Sequence, residues 1–532
     1  MGITSTRGGA IAAGHPKVAE AGREILQSGG NAFDAIVAAV LTSCVAEPTL
    51  TSIAGGGFLL AHTQDNRNIL FDFFTQTPRA KRDAQTVDFY PVDVNFGTVT
   101  QEFHIGLGSM AVPGNLGGLF HVHQKLGRLP FSVVAEPAIH CAKTGVEIGV
   151  FPAYCFQILS PIWLANPETR QVCAPTGTLL QPGDVQFMPD LGNTLAYLAK
   201  AGARAFYEGE IAQQLVQDCR DRGGYLTLDD LKHYQVIERE PLMMHYRGNL
   251  LVTNPPPSSG GALIAFALKL LSEVDLTQMV FGSTEYLTLL ARVMQLTNAA
   301  RKDGYDSRLY DPAVAEQFLA VQHLTRYAQQ LLQTPGMAAN VNSPTATNKW
   351  GSTTHVSVID GEGNAASATT SNGEGSAYVI PGTGVMVNNM LGEADLHPNG
   401  FHTWQENVRI SSMMSPTMVL RHNKPEIVLG SGGSNRIRTA ILQVISNIID
   451  FDMSVETAVN SPRVHWEEGV FSVEPGFDAL QIDRTQFPFD DELVLWQQQN
   501  MFFGGVHTVF EDSTGCISGA GDRRRNGAVA TG

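Results

Sequence analysis

The sequence predicts a large α+β protein in which helices and strands are largely segregated along the chain. The chain has 532 residues, of which 43% are hydrophobic and 16% charged, so it can bury a sizeable core. Helical periodicity dominates residues 8–332, and strand-type alternation dominates after residue 353. Between them, residues 333–352 are rich in Pro, Asn, Thr, Ala and Gly with almost no apolar periodicity, which is typical of an exposed connector.

The N-terminal part contains most of the predicted helices. Residues 18–26 have helical spacing and are followed by two glycines that end the helix, and the apolar residues 32–45 predict a buried helix that stops before Pro48. Residues 58–61 and 69–73 flank a polar stretch and predict a β-hairpin. Further helices are predicted at residues 116–126, 191–201, 211–220, 262–272 and 284–302.

The C-terminal part begins with a second predicted β-hairpin. Residues 354–360 alternate valines with polar residues, a glycine-rich turn follows, and residues 365–371 return. A stripe of isoleucine and valine in residues 436–449 predicts an amphipathic helix. Further strands are predicted at residues 385–387, 418–420, 427–429 and 506–510.

Composition and charge exclude several classes of function. The chain has 35 basic and 51 acidic residues, a net charge of −16, and no long basic cluster, so no nucleic-acid partner is expected. Its six cysteines are widely spaced, with no CxxC pair and no histidines at zinc-ligand spacing, so neither a disulfide framework nor a zinc site is expected. The N-terminus has no apolar segment, and the longest apolar run, residues 35–45, is too short for a bilayer. We therefore expect a cytoplasmic protein without a membrane partner.

Thr353 is the first candidate catalytic residue. The P-loop, HExxH and GxSxG motifs are absent, and what remains is a hydroxyl where the connector meets the first strand. A threonine hydroxyl needs an adjacent base, and one solution is its own α-amine, of pKa about 7.7–8.0, once a cut makes the residue a chain terminus. A cut in the connector breaks no helix or strand. On the Thr353-Thr354 dipeptide alone, ordinary β-propensity is the simpler explanation.

A glycine-rich segment, residues 430–434, is the second candidate. It follows a predicted strand and opens a predicted helix. Glycines at such a turn leave backbone N–H groups free at the positive end of the helix, where they suit a carboxylate, a phosphate or the oxyanion of acyl transfer. A plain turn with Ser434 as the helix N-cap explains the same residues equally well.

The order of these segments resembles the γ-glutamyltransferase (γ-glutamyltranspeptidase) family of self-processing N-terminal-nucleophile (Ntn) hydrolases. The resemblance covers nearly the whole chain, and its specificity comes from the collinearity of many short motifs. These motifs are Gly29-Gly30-Asn31-Ala32 with Asp34-Ala35, Gly55-Gly56-Gly57-Phe58, Val112-Pro113-Gly114, Asn254-Pro255-Pro256 with Ser259-Gly260-Gly261, Thr353-Thr354-His355 with Ser357-Val358, Asn388-Asn389, Ser415-Pro416-Thr417, Gly432-Gly433-Ser434 and Asp522-Arg523-Arg524.

The resemblance implies a fold and a catalytic centre. The fold is a four-layer αββα sandwich built from a large subunit, residues 1–352, and a small subunit, residues 353–532, which pair as a heterodimer of cleavage products and possibly as a larger oligomer. The cut would fall between Ser352 and Thr353, making Thr353 both nucleophile and base. Ser371 matches a second hydroxyl that hydrogen-bonds the nucleophile, and Gly432 and Gly433 match the oxyanion-hole N–H groups. No metal or organic cofactor is implied.

The substrate-side positions depart from the family pattern. Phe74 stands where enzymes acting on glutathione carry an arginine for the glutamyl α-carboxylate, and a phenyl ring cannot make that bidentate contact. Met390 replaces a glutamine, and Met413 replaces one of two serines while Ser412 is retained. The remaining matches are Asn372, near a substrate-side asparagine, and Glu393, near the ammonium-binding aspartate, with Asp395 as a rival for that place.

These departures predict an amidohydrolase or acyltransferase with an altered acyl pocket. Its substrate would be a small amide with a less polar or non-glutamyl acyl group, and water or an amine would resolve the acyl-enzyme. One alternative is genuine γ-glutamyl transfer or glutathione hydrolysis, with Arg79 and Glu393 rebuilding the lost contacts. Another is a relative without enzymatic activity that stays uncut and only binds a ligand.

Overall fold

The computed structural model describes residues 8–95, 100–333, 351–397, 399–477 and 492–532. Its α-helices are α1 Pro16–Gln27, α2 Ala32–Ala46, α3 Asn115–Leu126, α4 Phe131–Val134, α5 Glu136–Thr144, α6 Val150–Ile158, α7 Ser160–Trp163, α8 Pro167–Cys173, α9 Pro189–Ala201, α10 Arg204–Glu208, α11 Glu210–Arg222, α12 Leu228–Lys232, α13 Gly260–Ser272, α14 Thr284–Ala300, α15 Val314–Phe318, α16 Val321–Leu332, α17 Arg436–Ile449 and α18 Val455–Asn460.

The strands of the described residues are β1 Gly9–Ala13, β2 Gly56–His62, β3 Asn68–Phe73, β4 Tyr90–Asn95, β5 Thr100–Ile105, β6 Val146–Glu147, β7 Val185–Gln186, β8 Ile237–Arg239, β9 Leu242–Tyr246, β10 Asn249–Thr253, β11 Thr354–Asp360, β12 Ala365–Ser371, β13 Val379–Ile380, β14 Val385–Met386, β15 Thr417–Arg421, β16 Lys424–Gly432, β17 Val464–Glu467, β18 Val470–Val473, β19 Glu492–Leu495, β20 Gly505–Glu511, β21 Ile517–Ala520 and β22 Ala528–Thr531.

Two large sheets form the centre of the molecule. Sheet I has seven strands in the order β22-β1-β11-β12-β2-β3-β8, and sheet II has six in the order β21-β20-β16-β15-β10-β9. The sheets face each other, and polar side chains join them. Ser357 Oγ of β11 donates to the carbonyl of His507 in β20 at 3.0 Å, and Ser367 Oγ of β12 donates to the carbonyl of Leu429 in β16 at 2.9 Å.

Helices cover the outer face of each sheet. Helix α2 packs on β11 and β12, and every one of its residues is buried because its sequence is apolar on all sides. Val356 and Val358 of β11 belong to the same hydrophobic cluster as α2. On the other side α17 packs on β16 and β20, and α13 lies beside it against β9 and β10. The result is an αββα sandwich, which confirms the expected fold.

The structure differs from the sequence prediction at the two segments closest to the proposed chemistry. Gly351 and Ser352, predicted to end an exposed connector, are buried; residues 334–350 of that connector lie outside the described residues. The predicted turn at 430–434 is also shorter, because β16 continues to Gly432 by pairing with β20. Gly430 serves sheet packing instead of turning the chain, since a Cβ there would lie 2.3 Å from the His355 ring.

Among the described residues, no helix is both long enough and apolar enough to cross a membrane.

Candidate active site

The peptide bond between Ser352 and Thr353 is buried and lies directly before β11. Pairing of Thr354 with Thr370 across the β11–β12 hairpin brings Ser371, the last residue of β12, beside this peptide. The carbonyl oxygen of Ser352 accepts hydrogen bonds from Thr353 Oγ1 at 2.8 Å and from Ser371 Oγ at 2.5 Å. Two hydroxyls from the two strands of one hairpin therefore converge on one carbonyl.

Arg525 holds the chain on both sides of this peptide, and sequence reasoning missed it. Its Nη1 donates to the carbonyl of Thr353 and its Nη2 to the carbonyl of Gly351, each at 3.3 Å. The side chain is buried. The available signal was its position directly after the Asp522-Arg523-Arg524 motif, but nothing in the sequence indicated what Arg525 would contact.

Glu47 approaches the same region from the end of α2. Thr354 Oγ1 lies 3.1 Å from both Glu47 carboxyl oxygens. Burial raises the pKa of Glu47 to about 8, although the Thr354 hydrogen bond and the Arg525 charge oppose that rise. At neutral pH this carboxyl is therefore mostly protonated.

The glycines predicted as oxyanion donors lie at the end of β16. Gly432 packs its Cα against Thr353, because a Cβ there would lie 2.1 Å from the Thr353 carbonyl oxygen. Gly433 has a φ of +126°, which favours glycine. Helix α17 begins only at Arg436, and Ser434 is not its N-cap: Ser434 Oγ donates to Asp395 Oδ2 at 2.8 Å. Among the described residues, the backbone N–H groups of Gly433 and Ser434 donate no hydrogen bond.

A cavity of about 120 Å³ opens beside Thr353. Eight of the predicted site residues line it, and they are Phe74, Ser352, Thr353, Ser371, Met390, Glu393, Ser412 and Met413. Asn372, Gly432 and Gly433 do not. Lining residues that the sequence did not single out include Arg301, Asp306, Leu309, Met414 and Asn435.

Phe74 forms a fixed apolar wall of the cavity. Its ring stacks on Phe58, with centroids 5.5 Å apart, and it is buried. Its carbonyl accepts from Arg409 Nη1 at 2.5 Å and from the Tyr234 hydroxyl at 2.9 Å. Arg409 also pairs with Asp72, so this neighbouring guanidinium is already engaged.

Two methionines extend the apolar surface. Met390 is buried, and its carbonyl accepts from His397 Nε2 at 2.9 Å. Met413 is partly buried and lies beside Ser412, whose Oγ accepts from the Met414 backbone N–H. The predicted replacement of polar groups by Phe74, Met390 and Met413 thus falls on three residues of one cavity.

Carboxyl groups lie next to Ser352 and in the lining of the cavity. Glu374, which sequence reasoning missed, accepts from the backbone N–H of Ser352 at 3.3 Å. Burial raises the pKa of Glu374 to about 8, and the Asp395 charge adds to the rise. Burial and the Glu374 carboxyl raise the pKa of Glu393 as well. Asn372, two residues before Glu374, is buried with no hydrogen bond to either side-chain amide atom among the described residues.

The cations near the cavity are paired. Arg79 bonds Asp229 at 2.9 Å and Asn407 at 3.2 Å and does not line the cavity. Arg301 does line it, but its Nε lies 2.9 Å from both carboxylate oxygens of Asp306. No group of three His, Cys, Asp or Glu side chains in the described part of the chain is arranged to hold a metal ion.

Comparison with known proteins gives concordant matches. The family model described as Gamma-glutamyltranspeptidase matches residues 18–532. Acylase ACY 1 proenzyme of Pseudomonas sp. (strain V22) is 32% identical over 98% of this chain and 92% of its own length. Glutathione hydrolase proenzyme of Bacillus subtilis (strain 168) is 30% identical over 98% and 91%. The crystal structure of cephalosporin acylase from Bacillus halodurans has a TM-score of 0.84 at 24% identity, over 100% of this chain and 97% of that one, which shows a common fold.

Proposed function

This chain belongs to the gamma-glutamyltranspeptidase family of Ntn amidohydrolases, and from that premise we propose that it is a self-processing acylase whose nucleophile is Thr353. The observation that carries the proposal is the convergence of Thr353 Oγ1 and Ser371 Oγ on the Ser352 carbonyl oxygen. Both curated relatives described above are named as proenzymes, which fits a chain that must be cut.

Self-cleavage is the first proposed step. Thr353 Oγ1 attacks the Ser352 carbonyl carbon, the hydroxyl proton passes to the Thr353 nitrogen, the C–N bond breaks, and an ester joins Ser352 to the threonine side chain. Water then hydrolyses the ester, leaving a carboxylate on Ser352 and a free amine on Thr353. Ser371 stabilises the developing oxyanion by donating to it, and Arg525 keeps both flanking carbonyls in place. The products are residues 1–352 and 353–532.

The cut enzyme then transfers an acyl group. The free Thr353 amine accepts the proton of its own hydroxyl, Oγ1 attacks the substrate amide, and the proton passes to the leaving amine. Water, or a second amine, releases the acyl group from the threonine. The predicted oxyanion donors are the backbone N–H groups of Gly432 and Gly433. We add the N–H of Ser434, because Ser434 lines the cavity and its N–H donates no hydrogen bond among the described residues.

The acyl pocket is proposed to be altered from that of a glutamyl enzyme. Phe74, Met390 and Met413 line the cavity, and Arg79 is bonded elsewhere. Each lost hydrogen bond to a charged group removes about 1.5–3 kcal/mol of binding. A γ-glutamyl substrate is therefore expected to be poor. Because one relative is named glutathione hydrolase proenzyme, γ-glutamyl transfer is the second candidate function.

The test first detects self-cleavage on denaturing gels and then measures amidase activity. We expect two fragments from the wild type, one intact chain from Thr353→Ala, and processing slowed by about 10²-fold in Ser371→Ala, since that is the usual loss from one oxyanion donor. Ser371→Thr keeps the hydroxyl and is the matched control. An intact wild-type chain with no amidase activity would instead identify a relative that only binds a ligand.

The acyl preference is measured on the cut enzyme. A γ-glutamyl anilide is compared with simple acyl anilides by kcat/KM. A strong preference for the γ-glutamyl compound would reject the altered pocket and leave Thr353 as nucleophile of a glutamyl enzyme.

A further inference from the structure

Arg301 offers unused hydrogen-bond donors to the cavity beside Thr353. Among the described residues that line the cavity, it is the only one with a positively charged side chain, and that side chain is 23% exposed. Its Nε lies 2.9 Å from both carboxylate oxygens of Asp306. Its two Nη groups donate no hydrogen bond to any described residue. Four of the five N–H donors of this guanidinium are therefore open to a ligand.

The turn after α14 holds Arg301 and Asp306 face to face. Helix α14 ends at Ala300, and Arg301–Tyr305 form one π-helical turn, in which the backbone N–H of Asp306 donates to the Arg301 carbonyl. Such turns occur frequently at functional sites. The buried Tyr305 ring packs against Phe318, with centroids 4.5 Å apart, and so fixes the turn from inside. Asp306 therefore orients the guanidinium through Nε and leaves both Nη groups open.

The other acidic side chains of the lining do not use these donors. Asp306 is the one acidic partner of Arg301 among the described residues. Asp395 accepts from Ser434 Oγ at 2.8 Å. Burial raises the pKa of Glu393 well above its ordinary value, which favours the uncharged form. A ligand carboxylate is planar and has two acceptor oxygens, so it can take both Nη groups in one bidentate pair.

The apolar lining indicates which half of the substrate carries this carboxylate. Phe74, Met390 and Met413 are the residues proposed to contact the acyl group, and an apolar acyl group has no use for a guanidinium. Arg301 belongs to a different segment, the end of α14, of which no residue was matched to the acyl pocket. An amide has only two halves, so the guanidinium falls to the leaving amine.

We infer that the leaving amine of the substrate carries a carboxylate and that the Nη groups of Arg301 receive it. The substrate class is then an N-acyl derivative of an amino acid. Thr353 Oγ1 forms the ester, the amide C–N bond breaks, the hydroxyl proton goes to the leaving nitrogen, and the amino acid departs with its carboxylate unchanged. This inference rests on the proposed function, because Thr353 must attack the amide and the acyl group must be apolar.

The test compares two matched pairs of butanoyl amides on the cut wild-type enzyme. N-butanoylglycine and 3-(butanoylamino)benzoate carry a carboxylate on the leaving amine, and N-butanoylglycinamide and 3-(butanoylamino)benzamide carry a neutral amide in its place. We expect the better carboxylate to exceed its own neutral counterpart in kcat/KM by about tenfold or more, as is usual for a hydrogen bond to a charged group. Release of the amine with Thr353→Ala is measured and subtracted.

Variants of Arg301 locate the receptor. In Arg301→Gln we expect the ratio of kcat/KM for the better pair to fall by about fivefold or more. Arg301→Lys keeps the charge without the planar fork, so its ratio should lie between those of the wild type and Arg301→Gln. Arg308→Gln is the matched control and should keep the wild-type ratio, because Arg308 bonds the Gly304 carbonyl in the same segment and does not line the cavity. A purely structural ion pair would change Tm and leave all these ratios equal.

If the Arg301 variants are not cut, inhibition of the wild type answers the same question. 3-Aminobenzoate, the product with a carboxylate, should inhibit butanoyl anilide hydrolysis about fivefold more strongly than 3-aminobenzamide. Equal inhibition by the two amines would overturn the inference.

A third pair places the carboxylate on the acyl group instead. We expect 4-carboxybutanoyl anilide to be no better a substrate than butanoyl anilide. A preference for the 4-carboxybutanoyl compound that is lost in Arg301→Gln would assign the guanidinium to the acyl group and overturn its assignment to the leaving amine.

The remaining outcomes separate the two proposals. A cut, active enzyme that prefers neither carboxylate of the first two pairs, or whose preference is unchanged in Arg301→Gln, overturns this inference and leaves the acylase standing. A cut enzyme that acts only on γ-glutamyl anilide rejects the apolar acyl group and this inference with it. A chain that turns over none of these compounds overturns the proposed function itself.

Discussion

At the scale of single residues, burial decides which carboxyl groups near the proposed cleavage site are charged. Glu47 and Glu374 are both carboxyls with pKa values raised to about 8, and both touch residues next to the proposed cut. Glu374 accepts from Ser352 and Glu47 from Thr354, so uncharged carboxyls flank the peptide on two sides. In the proposed self-cleavage, a neutral carboxyl would not repel the oxyanion that attack by Thr353 would form.

The raised pKa of Glu47 predicts a pH-dependent stability. Between the ordinary pKa of about 4.5 and the folded pKa of about 8, the folded chain keeps a proton that the unfolded chain has lost, so stability falls as pH rises through this range. The free energy of unfolding falls by about 1.4 kcal/mol per pH unit where the folded and unfolded chains differ by one full proton. Glutamine cannot ionise, so Glu47→Gln should be close to neutral at pH 5 and raise Tm at pH 8.

The measurement is thermal unfolding in the uncut Thr353→Ala background, with and without Glu47→Gln, at half-unit steps from pH 5 to 8. A Tm difference that stays constant across this range would show that Glu47 titrates normally in the folded protein.

At the scale of elements, the close approach of α3 to β3 positions the cavity wall. A Cβ on Gly118 of α3 would lie 2.1 Å from the ring of Phe73, the last residue of β3. Phe73 directly precedes Phe74, whose carbonyl is held by Arg409 and Tyr234. The glycine is therefore required by the packing of α3 on Phe73, the residue before Phe74.

Gly118→Ala should destabilise the protein although alanine favours helices. Overpacking in a close contact typically costs about 1–3 kcal/mol, whereas the gain in helix propensity is only about 1 kcal/mol. Gly117→Ala is the matched control in the same helix, since its nearest neighbour is the Tyr207 hydroxyl at 3.0 Å. Thermal unfolding should give a lower Tm for Gly118→Ala than for Gly117→Ala, and equal values would contradict the packing argument.

At the scale of the whole molecule, the two proposed fragments interleave in both sheets. In sheet I, β1 of the large fragment lies between β11 and β22 of the small one, and β12 pairs with β2. In sheet II, β10 of the large fragment pairs with β15 of the small one. Separating the fragments would break backbone hydrogen bonds along four strand interfaces and expose apolar side chains of both fragments that pack together.

The cut enzyme should therefore behave as one particle. We expect the two fragments to co-elute in size-exclusion chromatography at physiological salt and in 1 M NaCl, because backbone pairing and apolar burial depend little on screening. They should separate only in denaturant. Elution of two separate species at either salt concentration would refute the interleaved arrangement.

The sequence predicted long periodic elements better than short ones. Helix α17 and the β11–β12 hairpin occur where expected because each has a clear hydrophobic periodicity, and α2 occurs where expected because its apolar run is long. Strands β1 and β22 were not predicted; they are short and alanine-rich, and they become strands only by pairing with each other and with β11. Glycine-rich residues 430–432 suggested a turn, yet they are strand because β20 pairs with them.

Within the site, the sequence by itself determined the family, the fold class and the hydroxyls at Thr353 and Ser371, because these depend on local pattern and collinear motifs. Only the tertiary structure decided which groups meet them. Arg525 reaches Thr353 across 172 positions, and Glu374 meets Ser352 across 22. Such contacts join residues far apart in the sequence and depend on how the two sheets stack, which no local pattern encodes. The same stacking brought Phe74, Met390 and Met413 to one cavity, which Glu393 also lines.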